Sequence, residues 1–125
     1  PGGRLMPRFV HSVAAQIGVP AYREATLRAG EGQLPEGMVL AGDGQHGYVP
    51  CRGSSAKGAR QEERFARAIL CQPVDTSAGP QRAKILPGNA IVFGSRLIFH
   101  PSVAPDEHWT IHGQLSARGF LVLDK

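Results

Sequence analysis

The chain has 125 residues, of which 42% are hydrophobic, so we expect a single folded domain rather than a disordered tail. Its formal net charge is +4, but the Lys and Arg residues are scattered along the sequence and only 6% of the residues are aromatic. That composition argues against the basic patch with stacking aromatics typical of nucleic-acid binders, and no apolar run approaches the roughly 20 residues of a membrane-spanning helix. We therefore expect neither a specific nucleic acid nor a membrane as a partner.

Residues 1–23 differ from the rest of the chain, because they contain apolar residues but few of the turn signals that separate strands. Phe9, Val13 and Ile17 would share one face if the segment were helical. An extended arm fits the same residues, and both conformations remain open at this point. Two roles also remain open, namely packing on the chain's own core and docking on a partner.

The rest of the chain is predicted to form short strands, since 16 Gly and 10 Pro residues favour frequent turns. The predicted strands cover residues 24–29, 37–41, 47–51, 66–74, 82–86, 89–93, 96–100 and 120–124. Only Gly94 and Ser95 separate 89–93 from 96–100, which predicts a tight β-hairpin. Residues 52–64 are polar and rich in Gly and Ser, so we expect an exposed loop in which Glu62 and Glu63 are solvated.

One α-helix is predicted near the C-terminus. Pro105 suits the first helical position, and the two acidic residues after it favour the positive end of the helix dipole. Gly119 is a typical helix stop. The side chains expected to pack in the core from this region are Trp109, Ile111, Leu115 and Phe120. The predicted fold class is thus mainly β, a β-rich α+β domain with one short C-terminal helix.

Residues 42–47, GDGQHG, have the G-x-G-x-x-G spacing of a dinucleotide-binding loop. In that motif the glycines lie between a strand and a helix whose N-terminus faces the pyrophosphate. Here YVPC follows, with Pro50 four residues after His46, which indicates a strand instead. We interpret the segment as a β-turn joining two strands and expect no cofactor there.

Two histidines, His108 and His112, are spaced to face one metal ion from a helix, with His100 as a possible third ligand. The zincin motif requires a Glu directly after the first His, and Trp109 occupies that position. A surface or partly packed pair of histidines is therefore favoured, and no metal is expected.

Cys51 is a candidate nucleophile with His46 or His100 as its base, but no orienting carboxylate is evident and its apolar context disfavours a thiolate. Cys51 and Cys71 could form at most one disulfide. Free, buried thiols in strands are favoured for a protein made in a reducing cytoplasm. The sequence therefore gives no catalytic site, and we expect a binding or structural protein rather than an enzyme.

The order of the segments resembles that of the head decoration proteins of tailed bacteriophages, the capsid-stabilising family that includes the lambda decoration protein. EATLRAGEGQLPEGMVLA is similar to the family's first strands, GYVPC to the next short strand, and ARAILCQPVDTSAGP to a strand with an Asp/Thr/Ala-rich turn. RAKILPGNAIVFGSRLIFHP and LSARGFLVLDK parallel the last strands and the closing helix end. Arg67 and Ala68 depart from the x-Gly pair that the family often has. The likeness runs from about residue 23 to 125, and residues 1–22 have no such match.

The resemblance implies a compact, small β-barrel or β-tulip-like domain over residues 23–125 and a capsid-binding arm over residues 1–22. It also implies homotrimers bound to the major capsid protein at three-fold and quasi-three-fold positions on the outside of the expanded head. There they would stabilise the shell against the pressure of packaged DNA. The protein would be made in the cytoplasm of the bacterial host and end on the outer surface of the virion.

The resemblance also implies that the arm is ordered against the capsid, in part by adding a strand to a capsid sheet. The residues expected to bind the capsid are Arg4, Leu5, Met6, Arg8, Phe9, Val10, Tyr22 and Arg23. The apolar side chains of the arm would be buried anchors, and its arginines would meet capsid carboxylates. The alternative function is a small carbohydrate- or protein-binding β-module of a phage or bacterial surface structure.

Overall fold

The computed structural model describes residues 14–15, 22–54 and 56–123. Its strands are β1 (Ala14–Ala15), β2 (Arg23–Leu27), β3 (Gln33–Leu34), β4 (Val39–Gly42), β5 (Tyr48–Pro50), β6 (Ala68–Leu70), β7 (Val74–Asp75), β8 (Gln81–Leu86), β9 (Ile91–Phe93) and β10 (Leu121–Leu123). Helix α1 covers His108–Ala117, and 3-10 turns cover Gln61–Arg64, Gly94–Arg96 and Pro105–Glu107. Of the arm, only Ala14–Ala15 and Tyr22 are described, and Ala14–Ala15 form a strand; Phe9, Val13 and Ile17, which would define the helical face, lie outside the described residues.

Five strands close into a small barrel in the order β2-β5-β4-β6-β8. The longest pairing joins β2 and β8 antiparallel, from Arg23 opposite Ile85 to Leu27 opposite Gln81. The barrel closes where Leu27 pairs with Tyr48 in a parallel bridge between β2 and β5. The predicted fold class, a mainly β domain built on a small barrel with one short C-terminal helix, is confirmed.

Buried and exposed side chains alternate along the strands, so that one set faces the inside of the barrel and the other its outside. In β8, Ala83 and Ile85 are buried while Arg82 and Lys84 between them are exposed. The interior cluster consists of Ala25, Leu27, Leu34, Met38, Leu40, Ala68, Leu70, Ala83 and Ile85. Strands β4 and β6 are instead buried on both faces, because a second apolar layer covers them from outside.

That second layer contains α1 and the outer sheet, in which β9 lies between β1 and β10. Ile111 and Leu115 of α1 are fully buried, and Val92 and Phe120 pack in the same cluster. The 3-10 turn at Pro105–Glu107 leads into α1, and Gly119 follows it with a φ of 90°, as the sequence predicted. Among the described residues, no helix has the length and apolar character needed to cross a membrane.

The expectation that Trp109 packs in the core is wrong, since 82% of this residue is exposed. Successive residues of an α-helix are turned by about 100°, so a position two residues before Ile111 lies almost on the opposite face. The buried face of α1 is set by Ile111 and Leu115, and Trp109 is therefore directed outward.

The predicted hairpin between residues 89–93 and 96–100 is also wrong. Both edges of β9 are already paired, antiparallel with β1 and parallel with β10. The chain after β9 turns through Gly94–Arg96, and Ile98 instead forms a parallel bridge with Met38. Gly37 permits this crossing, because a Cβ on it would collide with the carbonyl oxygen of Arg96. The Gly94-Ser95 signal thus marks a change of sheet rather than a hairpin.

The loop over residues 52–64 is only partly the solvated segment that was expected. Its last turn, Gln61–Arg64, exposes Glu62 but buries Glu63, which is 5% exposed. Glu63 pairs with Arg28, which follows β2, and with Arg52 at the start of the same loop, and these pairs compensate its burial. The expectation of a solvated Glu63 is therefore wrong, while that for Glu62 is confirmed.

Candidate protein-interaction surface

The GDGQHG segment is the turn of the β4–β5 hairpin, as predicted, with Leu40, Ala41 and Gly42 opposite Pro50, Val49 and Tyr48. Asp43 holds this turn through hydrogen bonds to other residues of the turn. Its backbone N–H donates to the Gly47 carbonyl at 3.1 Å, and its carboxylate accepts hydrogen bonds from the N–H groups of Gln45 at 2.7 Å and Gly47 at 2.9 Å. Two amides of the loop are therefore already bonded to the chain's own carboxylate. No helix follows, so the arrangement that binds a dinucleotide phosphate is not formed.

Both cysteines are free, and each directly follows a barrel strand rather than lying within it. Burial raises the pKa of the Cys51 thiol. For Cys71, burial raises the pKa to about 12. Because the thiolate is the nucleophilic form, neither thiol is activated in this fold at neutral pH.

The two helix histidines pack against an aromatic ring. The ring of His108 stacks on Phe99 with centroids 3.9 Å apart, and His112 lies 6.3 Å from the same ring. His100, the candidate third ligand, contacts Arg52 and Ser102 instead. No cluster of three His, Cys, Asp or Glu residues suited to a metal ion occurs in the described part of the chain.

Only two of the eight predicted capsid-binding residues fall within the described ranges. Tyr22 is half-buried and packs against the cluster formed by α1 and the outer sheet. Arg23 is exposed at the start of β2, where its Nη2 donates to the Tyr48 hydroxyl at 3.5 Å. The other six lie outside the described residues: Arg4, Leu5, Met6, Arg8, Phe9 and Val10. Within the arm, Ala14–Ala15 pairs antiparallel with β9 of the outer sheet.

Four aromatic rings form a continuous surface feature on α1 and the segment before it, which we call the aromatic patch: Phe99, His108, Trp109 and His112. The indole of Trp109 meets the ring of His112 edge-on, at a centroid distance of 6.1 Å and an interplanar angle of 64°. The helix below is fixed by the burial of Ile111 and Leu115. Tryptophan is one of the residues, with tyrosine and arginine, that are enriched in the energetic hot spots of protein interfaces.

A second feature, the ion-pair cluster, joins Arg28, Glu31, Arg52 and Glu63. Arg28 donates to Glu31 at 2.9 Å and to Glu63 at 3.0 Å, and Arg52 pairs with the same two carboxylates. The carboxylate side chains are only 10% and 7% exposed. The cluster therefore ties the turn after β2 to the loop after β5 and to the Gln61–Arg64 turn.

Titration in this cluster is set by burial and by the arginines. Burial opposes ionisation of Glu31, but hydrogen bonds from Arg28 and Arg52 outweigh it and lower the pKa of its carboxyl. Burial, together with the charge of Arg52, lowers the pKa of His100. Sequence reasoning missed the cluster, since Arg28 and Glu63 are 35 positions apart and no local pattern connects them.

Comparison with known proteins adds no assignment, because the sequence matches no protein-family model and no curated protein.

Proposed function

We propose that this protein is a capsid decoration protein of a tailed bacteriophage. It binds as a homotrimer to the major capsid protein, at three-fold and quasi-three-fold positions on the outside of the expanded head, and stabilises the shell against internal DNA pressure. The observation that carries the proposal is Trp109, an 82% exposed indole held on a rigid, barrel-supported helix. The order of strand and turn segments, which resembles that of the decoration family, supports the same function.

The exposed indole supplies binding energy that the free protein does not use. A Trp side chain buries roughly 150–250 Å² in an interface, and apolar burial contributes about 25 cal/mol per Å². One such contact per subunit is modest once the entropy of association is subtracted. A trimer offers three of them together, and the second and third contacts form at a high effective concentration.

Stiffness of the barrel matters for the same function, because a protein that reinforces a shell transmits force between the subunits it touches. Two apolar clusters, one inside the barrel and one under α1, hold the frame. The ion-pair cluster ties three surface loops to one another. The arm approaches this frame through Ala14–Ala15, whose pairing with β9 attaches part of the arm to the barrel's outer layer.

The test is co-sedimentation of the purified protein with expanded, empty heads built from the major capsid protein of the phage that encodes it. We expect saturable binding that raises the temperature at which the heads rupture. Trp109→Ala is expected to reduce occupancy strongly at limiting protein concentration. Thr110→Ala, at the exposed neighbouring position, is the matched control and should bind like the wild type.

Failure of the folded wild-type protein to bind such heads would contradict the proposal. Removal of residues 1–20 tests the arm separately, and unchanged occupancy would show that the arm is not the capsid anchor. A change of Trp109 fluorescence with a saccharide, in a protein that ignores the heads, would instead favour the alternative carbohydrate-binding module.

A further inference from the structure

Two clefts adjoin on the side of the barrel that carries the 42–47 turn. The first, of about 550 Å³, is lined by Arg23, His46, Tyr48 and Arg67 over a floor of glycines. The second, of about 490 Å³, is lined by Phe65, Arg118 and neighbouring residues at the C-terminal end of α1. Both clefts share Glu62 and Arg67 as lining residues. We call the combined feature the arginine groove.

The three arginines of this groove have no carboxylate partner within 4.0 Å among the described residues. Neutral groups position two of them instead. Arg23 donates to the Tyr48 hydroxyl, and Nε of Arg118 donates to the backbone carbonyl of Arg67 at 3.1 Å. Since a guanidinium has five N–H donors, most donors of each arginine stay available for a ligand.

The guanidinium of Arg67 lies against the backbone of β4 at Gly42, a residue that has no side chain. A Cβ on Gly42 would be 2.7 Å from Nη1 of Arg67, so glycine at this position makes room for the arginine. At Gly44 a Cβ would lie 3.5 Å from the carboxylate of Glu62, which is an ordinary contact, and glycine is favoured there by the positive φ of 82°. The glycines of GDGQHG thus shape the floor of the groove as well as the turn.

Charge and shape together define the occupant. Three arginines against the single carboxylate of Glu62 leave a formal charge of +2 in the groove. Phe65, which is 42% exposed, adds an apolar contact near α1. A continuous phosphate backbone would be repelled by Glu62 at the junction of the two clefts, whereas a peptide can place its carboxylates on either side of it.

We infer that the arginine groove binds an acidic, extended segment of a protein partner, with carboxylates on Arg23, Arg67 and Arg118 and an apolar side chain on Phe65. Planar guanidinium groups bind carboxylates through paired hydrogen bonds, which gives direction as well as attraction. The inference rests on the proposed function only for the identity of the partner, which is then a surface segment of the major capsid protein.

The test measures fluorescence anisotropy of a labelled synthetic peptide of alternating Glu and Phe residues, with the full-length protein at low salt. Arg67→Gln is expected to weaken binding by about tenfold or more, as loss of a hydrogen bond between charged groups predicts. Arg82→Gln is the matched control, because it removes the same charge from an exposed arginine that pairs with Glu24 outside the groove. Its effect should stay within about twofold.

A second variant keeps the charge of Arg67 and changes only the position of its guanidinium. Gly42→Ala is expected to displace Arg67 and to weaken peptide binding, while thermal unfolding confirms that the barrel is intact. The same peptide with Gln in place of Glu should bind much more weakly, and added salt should weaken the Glu peptide.

Equal binding by Arg67→Gln and Arg82→Gln, or equal binding of the Glu and Gln peptides, would overturn the inference. A single-stranded DNA of the same length that binds more tightly than the peptide, and does so through Arg67, would overturn it in favour of a nucleic acid. Head binding by the wild type is measured in parallel. Peptide binding without head binding supports the groove and contradicts the capsid as its partner.

Discussion

The ion-pair cluster and the arginine groove use the same residue type for opposite purposes. Arg28 and Arg52 are neutralised by Glu31 and Glu63, so these four charges cancel and hold three loops together. In the groove, Arg23 and Arg118 are positioned by neutral partners, and all three arginines lack a carboxylate partner among the described residues. On the described part of the surface, charge is therefore uneven, although the basic residues are scattered in the sequence.

The largest expected effect is a loss of stability in the core that supports both the ion-pair cluster and the arginine groove. Leu115→Ala should lower the free energy of unfolding by about 2–5 kcal/mol, since it leaves a cavity under a fully buried residue. Chemical denaturation measures this loss. Head binding should fall only through the unfolded fraction, and a Leu115→Ala protein that is stable yet fails to bind heads would contradict this division.

A smaller loss of stability is expected at the ion-pair cluster, and it distinguishes the arginines of this cluster from those of the arginine groove. Glu63→Gln should cost about 2–3 kcal/mol of stability, because Arg28 loses a charged hydrogen-bond partner at 3.0 Å and Arg52 loses an ion-pair partner at 3.8 Å. Glu62→Gln, one position earlier and exposed, is the control and should change the free energy of unfolding by less than about 0.5 kcal/mol. Equal effects of the two substitutions would show that the ion-pair cluster does not hold the loops.

The cluster also predicts how stability depends on pH. The folded-state pKa of His100 lies below its ordinary value of 6.5, so acidification protonates the unfolded chain first and stability falls below that pH. The pKa of Glu31 is also lowered from its ordinary value of 4.5, and its contribution is present above that value and lost as the pH falls through the folded pKa.

Thermal unfolding measured between pH 7 and pH 3 checks the contributions of His100 and Glu31. His100→Gln should flatten the upper part of the decline and Glu31→Gln the lower part. His46→Asn is the control, because asparagine tolerates the positive φ of 76° at this exposed turn position. A wild-type curve that does not fall below pH 6.5 would be inconsistent with the placement of His100 beside Arg52.

The smallest expected effect on stability lies in the groove itself. Arg67→Gln should change the free energy of unfolding by less than about 0.5 kcal/mol, since the arginine is exposed and has no carboxylate partner among the described residues. Chemical denaturation beside the Glu63→Gln variant gives the contrast. A loss as large as that of Glu63→Gln would place Arg67 in the framework of the fold and remove the distinction between the two groups.

Local patterns in the sequence were enough for most strands, for the β4–β5 turn and for the C-terminal helix, while the barrel was expected only from the family resemblance. Alternation in QRAKIL places Ala83 and Ile85 inside, and the Pro50 that follows GDGQHG indicated a strand rather than a helix. Pro105 and Gly119 likewise mark the limits of the C-terminal helix. Each of these features depends on residues that are close together in the sequence, which is the range over which sequence patterns are informative.

Contacts between distant segments could not be predicted in this way. The partner of Ile98 is Met38, which is 60 positions away, so the tight-turn signal at Gly94-Ser95 was misleading. The residues of the groove come from β2, the loop before β6 and the end of α1, and only the closed barrel brings them together. Trp109 was within reach of sequence reasoning, because its helical phase relative to Ile111 already placed it outside.

Cryo-electron microscopy of expanded heads saturated with this protein would show whether it decorates the capsid. We expect density for three copies of the barrel around each three-fold and quasi-three-fold position on the outer surface, with Trp109 at a contact. Heads that show no such density, in the presence of folded protein at saturating concentration, would contradict the proposed function.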